Sequence, residues 1–99
     1  MRYQSSRRFD RSIRRLDAAR ARAVQEAIEQ LVAAFETGQV PVGLGLKHLR
    51  AGLWECRAGL SDRILFFRHR DAVEFLLAGN HEEIKRALAG FSTGGQHSD

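Results

Sequence analysis

Four side chains drawn from three separated stretches carry the residue types that acid–base chemistry at an anion requires: Glu55, Arg57, Arg63 and His81. A carboxylate or an imidazole can take or give a proton in a transition state, and guanidinium groups stabilise charge that grows on an oxyanion. The spacing alone leaves plainer readings open. Glu55 and Arg57 also read as members of a surface ion pair with a cross-strand neighbour, Arg63 as a solvated strand end, and His81 as a surface residue in a helical first turn.

Whether these groups meet depends on the elements that carry them. Residues 53 to 81 divide into three strands. Ile64 to Phe67 is an unbroken apolar run, too short for a buried helix and bounded by charges, which predicts a central strand covered on both faces. In the preceding strand Trp54 and Cys56 face one side, toward the core, and Leu53, Glu55 and Arg57 the other. If the turn over Ala58 to Asp62 pairs Arg57 with Arg63, both bases share a face with Glu55, whereas a one-residue shift puts Arg63 on the opposite face. A second turn at His69 to Asp71 leads into Val73, Phe75 and Leu77, alternating with Glu74. As an antiparallel meander, the strands bring Glu55, Arg57, Arg63 and His81 to one end of the sheet.

Two helices precede the strands. Ser5 or Ser6 caps the first, in which Phe9, Ile13 and Leu16 form one stripe. Arg7, Arg11 and Arg14 project opposite it and Arg8 and Arg15 flank it, a pattern that fits a solvated face or a nucleic-acid patch. Asp17 caps the second helix, whose Val24, Ile28, Leu31 and Phe35 recur at core-facing spacing, and Gly38 with Pro41 ends it. Together they form an αα-hairpin with a combined apolar face for the sheet to cover. Met1 to Gln4 fits an edge strand. Residues 39 to 46 form a connector whose Gly43 and Gly45 lack the Lys-Ser/Thr of a phosphate loop. Lys47, His48 and Arg50 follow as a basic approach to the first core strand, before a turn at Ala51 and Gly52. Asn80, with Glu83 three residues on, caps a short final helix with Ile84 and Leu88 on its buried side. The expected fold class is α+β: an antiparallel sheet of about four strands, a helical hairpin on one face, and a short C-terminal helix. Residues 1–90 form one domain and 91–99 a flexible polar tail.

The chain carries 16 basic and 12 acidic residues for a net charge of +4, and 14 of the bases are Arg. That excess of planar guanidinium over ammonium suits bidentate binding of phosphate or carboxylate, although genomic base composition produces the same bias. Cys56 is the lone cysteine, so no internal disulfide forms, and no leader or long apolar run is present, which predicts a cytoplasmic setting with no membrane contact. His48, His69, His81 and His97 have no metal-ligand spacing, and neither a metal nor another cofactor is expected.

Five motifs in order carry a resemblance to a known family. Phe-x-x-Ser-Ile-x-x-Leu at 9–16, Gly-Leu-x-Leu-Lys-x-Leu at 43–49, Leu-Trp-Glu-x-Arg at 53–57, Asp-Arg-Ile-Leu-Phe at 62–66 and Ala-Gly-Asn-His-Glu-Glu-Ile at 78–84 resemble the RelE/ParE superfamily of toxins from type II toxin–antitoxin systems. The resemblance implies a toxin neutralised by a cognate antitoxin. In the RelE-like and YoeB-like branch it implies a ribosome-dependent endoribonuclease that cuts mRNA without a metal. There Glu55 corresponds to the general base, Arg63 with Arg57 to the phosphate clamp, and His81 to the general acid, while Lys47, His48 and Arg50 hold RNA. The alternative, a ParE-like toxin, binds and inhibits DNA gyrase without catalysis. Many RelE-like enzymes carry a C-terminal aromatic, usually Tyr; here the sole tyrosine is Tyr3, so the aromatic of that place is either Phe91 or missing.

Overall fold

Five strands form one sheet in the order β1-β5-β4-β3-β2, sandwiched between a helical hairpin on one face and a C-terminal helix on the other. The structure, a computed structural model, describes residues 1–97, and side chains for residues 1–91. The elements in chain order are β1 (Arg2–Ser5), α1 (Arg7–Arg14), α2 (Ala18–Thr37), a 3-10 turn (Val42–Leu44), β2 (Lys47–Arg50), β3 (Leu53–Ala58), β4 (Asp62–His69), β5 (Ala72–Asn80) and α3 (His81–His97). No helix among the described residues is long and apolar enough to cross a membrane.

The predicted caps form. Ser6 Oγ accepts from the Phe9 amide at 3.0 Å, and an Asp17 carboxylate oxygen accepts from the Arg20 amide at 2.9 Å. Each supplies an acceptor to an amide that the first helical turn leaves unpaired. Gly38 closes α2 at φ 78°, a left-handed value suited to glycine. The hairpin buries Phe9, Val24, Ala27 and Leu31 against Cys56, Ile64, Phe66, Val73 and Phe75, with Trp54 at the margin. Asp62, at the start of β4, is fixed to α2 by a two-pronged contact: Arg20 Nε and Nη2 donate to its carboxylate oxygens at 2.8 and 2.7 Å.

Besides the parallel pairing of β1 with β5, the sheet departs from the expected antiparallel meander in two ways. First, Lys47–Arg50 is a strand, β2, paired with β3, so the count is five rather than about four. Its residues are too few and too polar to show a strand period, and Ala51 with Gly52 turns the chain back on itself. Second, β5 contains a bulge. Leu65 pairs with Leu77 but Phe66 pairs with Phe75, which leaves Leu76 as an extra residue. Val73 and Phe75 therefore face the hairpin, whereas Leu77 faces α3, and the simple alternation of the three ends there.

The helix α3 is longer than the short helix expected, running through the predicted polar tail as far as His97; Ser98 and Asp99 lie outside the described residues. Ile84, Ala87, Leu88 and Phe91 form a stripe at helical spacing that packs on Leu53, Leu65 and Leu77. That second apolar layer carries the helix past Gly90. Asn80 and Glu83 form the anticipated capping box, each side chain accepting from the other's amide at 2.8–2.9 Å.

Candidate functional site

The register places Arg57 opposite Arg63, with Glu55 two residues along β3 on the same face. Of the two registers open to the turn over Ala58 to Asp62, this is the one that unites the three side chains, and α3 covers the sheet from that side. Arg63 Nη1 donates to Glu55 Oε2 at 2.6 Å. Glu55 is buried, its side chain 7% exposed against 30% for Arg63, so the carboxylate lies at the base of the site and the guanidinium reaches toward water. Among the described residues the second Glu55 oxygen makes no hydrogen bond. The contact is diagonal: directly opposite Glu55 stands Leu65.

Arg57 is exposed and lies along the connector. A Cβ at Gly45 would stand 3.0 Å from Arg57 Cγ and 3.2 Å from its Nε, so the bare backbone of Gly45, at φ 58°, provides a seat for the side chain. This positioning role carried no recognisable signal in the sequence.

Lys47 pairs with Glu55 across the β2–β3 ladder and shares its face. Of the other two residues of the basic approach, His48 turns to the opposite face, while a bulge pairs Arg50 with Leu53 and keeps it on the α3 side. His48 pairs with Trp54 and its ring lies 4.7 Å from the indole, centroid to centroid, on the hairpin side of the sheet. Arg50 donates from Nη2 to the Leu88 carbonyl at 2.8 Å, tying β2 to α3. Strand alternation separates His48 from the other two residues that the sequence presents with it as one cluster.

His81 follows Asn80, which pairs with Asp62, so it leaves the sheet at the end where Arg63 enters. It is exposed, and among the described residues its imidazole makes no hydrogen bond or ion pair. Gly79 stands opposite Arg63. A Cβ there would come 2.6 Å from Glu83 Oε1, so the first turn of α3 sits directly on the β5 backbone beside Arg63. Phe91 packs in the α3 layer as a partly buried residue. Tyr3, on β1, stacks with Phe75 in the opposite layer, and its buried hydroxyl has no hydrogen-bond partner among the described residues.

A carboxylate, two or three cations and an exposed imidazole at one end of a sheet form a site suited to proton transfer beside an anionic group. The molecule is thus a small α+β protein with a buried carboxylate and several cations on the α3 side of its sheet. Its fold is that of the RelE and YoeB/ParE toxins. In the YafQ–DinJ complex of E. coli, the matched chain superposes with a TM-score of 0.67 at 13% identity, covering 84% of this chain and 97% of that one. The RelB–RelE antitoxin–toxin complex of Methanococcus jannaschii gives a TM-score of 0.64 at 13% identity, over 85% and 96%. A YoeB/ParE toxin from Agrobacterium tumefaciens gives 0.63 at 18% identity, over 82% and 99%. No protein-family model and no curated protein matches the sequence.

Proposed function

We propose that this chain is the toxin of a type II toxin–antitoxin pair, and that it acts as a metal-independent endoribonuclease on mRNA at the ribosome. The observation that carries the reading is the Glu55–Arg63 contact with Arg57 beside it, on the fold shared with RelE and YoeB/ParE toxins. The buried carboxylate takes the proton of a ribose 2′-hydroxyl. The 2′-oxygen attacks the adjacent phosphorus, and the bond from phosphorus to the 5′-oxygen breaks. Arg63 and Arg57 hold the phosphate as negative charge grows on it, and Lys47 extends the cationic side. His81 gives a proton to the departing 5′-oxygen, leaving a cyclic phosphate and a free 5′-hydroxyl. His81 stands exposed at the rim, and its rotation over the phosphate on binding is part of the reading.

The neutralising partner is an antitoxin whose acidic residues pair with these arginines, and the working compartment is the cytoplasm. Transcript ends mapped in a ribosome-containing extract test the nuclease. Glu55→Gln, Arg63→Ala and His81→Ala, each folded, lower cleavage about 10²–10⁴-fold. Variants as active as wild type remove the assigned roles. Inhibition of gyrase supercoiling with no RNA cleavage decides for the non-enzymatic reading instead.

A further inference from the structure

A second cationic feature lies outside the Glu55–Arg63 pair, at the free side of β5. The strand β1 pairs with β5 only over residues 72–75, and α1 runs alongside the remainder. Between α1 and the first turns of α3 an open cleft of about 190 Å³ is lined by Arg8, Arg11, Arg15 and Arg86, with Ser12, Leu77 and Glu83.

All four guanidinium groups belong to exposed residues, and among the described residues none makes a side-chain hydrogen bond or an ion pair. Glu83 is the sole carboxylate of the lining, and its Oε1 already accepts from the Asn80 amide. Four cations thus share one cleft with little compensation, at an electrostatic cost that a bound polyanion relieves. Arg8 and Arg11 on α1 and Arg15 at its C-cap follow i, i+3, i+7 spacing, one face of the helix over about 10 Å of its axis.

The lining chooses between a nucleic acid and an acidic protein. A protein interface centres on apolar anchors and is depleted of charge at its core, whereas nucleic-acid interfaces are polar and strongly positive. Here Leu77 is the sole aliphatic residue of the lining, and it is buried. The cleft also adjoins the candidate catalytic site. Glu83, on its wall, lies against Gly79, and Gly79 pairs with Arg63 on the next strand, about 5 Å away.

We propose that this arginine cleft binds the phosphodiester backbone of single-stranded RNA on one side of the phosphate held at Arg57 and Arg63. The inference rests on the nuclease reading for the identity of that central phosphate, but cleft binding is measured apart from cleavage. The purified full-length chain is titrated with a fluorescein-labelled single-stranded RNA oligonucleotide across a range of salt concentrations, with circular dichroism to confirm folding. Arg11→Gln/Arg15→Gln/Arg86→Gln weakens binding about tenfold or more and lowers the slope of log affinity against log salt by roughly 2, near 0.7 for each phosphate that is no longer neutralised. Arg14→Gln/Arg22→Gln, whose residues lie outside the cleft, leaves that slope in place.

Unchanged RNA binding in the triple variant overturns the proposal, as does a weakening no larger than that of the Arg14/Arg22 control. So does selective loss of polyglutamate binding, which would assign the cleft to an acidic protein. Cleft-dependent RNA binding by a wild-type chain that cuts no RNA supports the cleft and removes the nuclease reading. Cleavage by wild type, with RNA binding indifferent to the cleft, does the reverse.

Discussion

Glu55 and Cys56 are adjacent in sequence, and the pleat sends them to opposite faces of β3. Glu55 meets Arg63 on the α3 side, and Cys56 enters the hairpin core fully buried. Burial, with the nearby Glu55 charge adding to it, pushes the Cys56 thiol from its ordinary value of 9.0 up to about 12. The folded chain therefore holds its proton where the unfolded chain has released it. That contribution to stability is fully present below about pH 9 and is lost as pH rises toward 12. Between about pH 8 and about pH 11, urea unfolding should show wild type losing roughly 1–3 kcal/mol more than Cys56→Ala. Equal losses in the two proteins would show that the thiolate is accommodated at no cost. The facing of the β3 residues was legible from alternation, but the pairing of Arg57 with Arg63 was not, because the turn over Ala58 to Asp62 left two registers open. The diagonal Arg63–Glu55 contact was not, since alternation gives a face and not a partner. Nor was the seat that Gly45 makes for Arg57, which depends on where the connector folds back.

At the scale of elements, β5 determines how the site is framed. Its bulge at Leu76 turns Leu77 and Gly79 onto the α3 face, so that Gly79 pairs with Arg63 where Glu83 covers it. Nothing in Phe-Leu-Leu-Ala marks one residue as extra, because apolar residues on both sides of a doubly covered strand hide its period. Beyond β1, the free edge of β5 is satisfied by a side chain: Ser12 Oγ accepts from the Ala78 amide at 3.0 Å while donating to the Phe9 carbonyl at 2.6 Å. Ser12→Ala leaves that buried amide without its partner and should lower stability by about 1–3 kcal/mol, measured by denaturant unfolding. A drop below about 0.5 kcal/mol would mean that another acceptor, such as water, replaces the hydroxyl. The helices were legible from their caps and stripes. The strand β2 and the extension of α3 were not, because each is settled by packing against distant residues: β2 on β3, and α3 on the Leu53, Leu65 and Leu77 layer.

Over the whole molecule, one sheet serves two layers with different work. The hairpin layer is a conventional apolar core, locked at one corner by the Arg20–Asp62 contact. The α3 layer is thinner, and at its end it gives way to Glu55, Arg63, Arg57 and Lys47, with the arginine cleft one strand beyond. The central claim of the proposed function is that Glu55 removes the proton of a 2′-hydroxyl bound beside Arg63. Its most direct test uses an mRNA carrying a single 2′-deoxynucleotide at a mapped cleavage position in a ribosome-containing reaction. Cutting should cease at that position alone, while unmodified message yields cyclic-phosphate and 5′-hydroxyl ends. Undiminished cutting at the deoxynucleotide, or ends bearing a 5′-phosphate, would contradict the account.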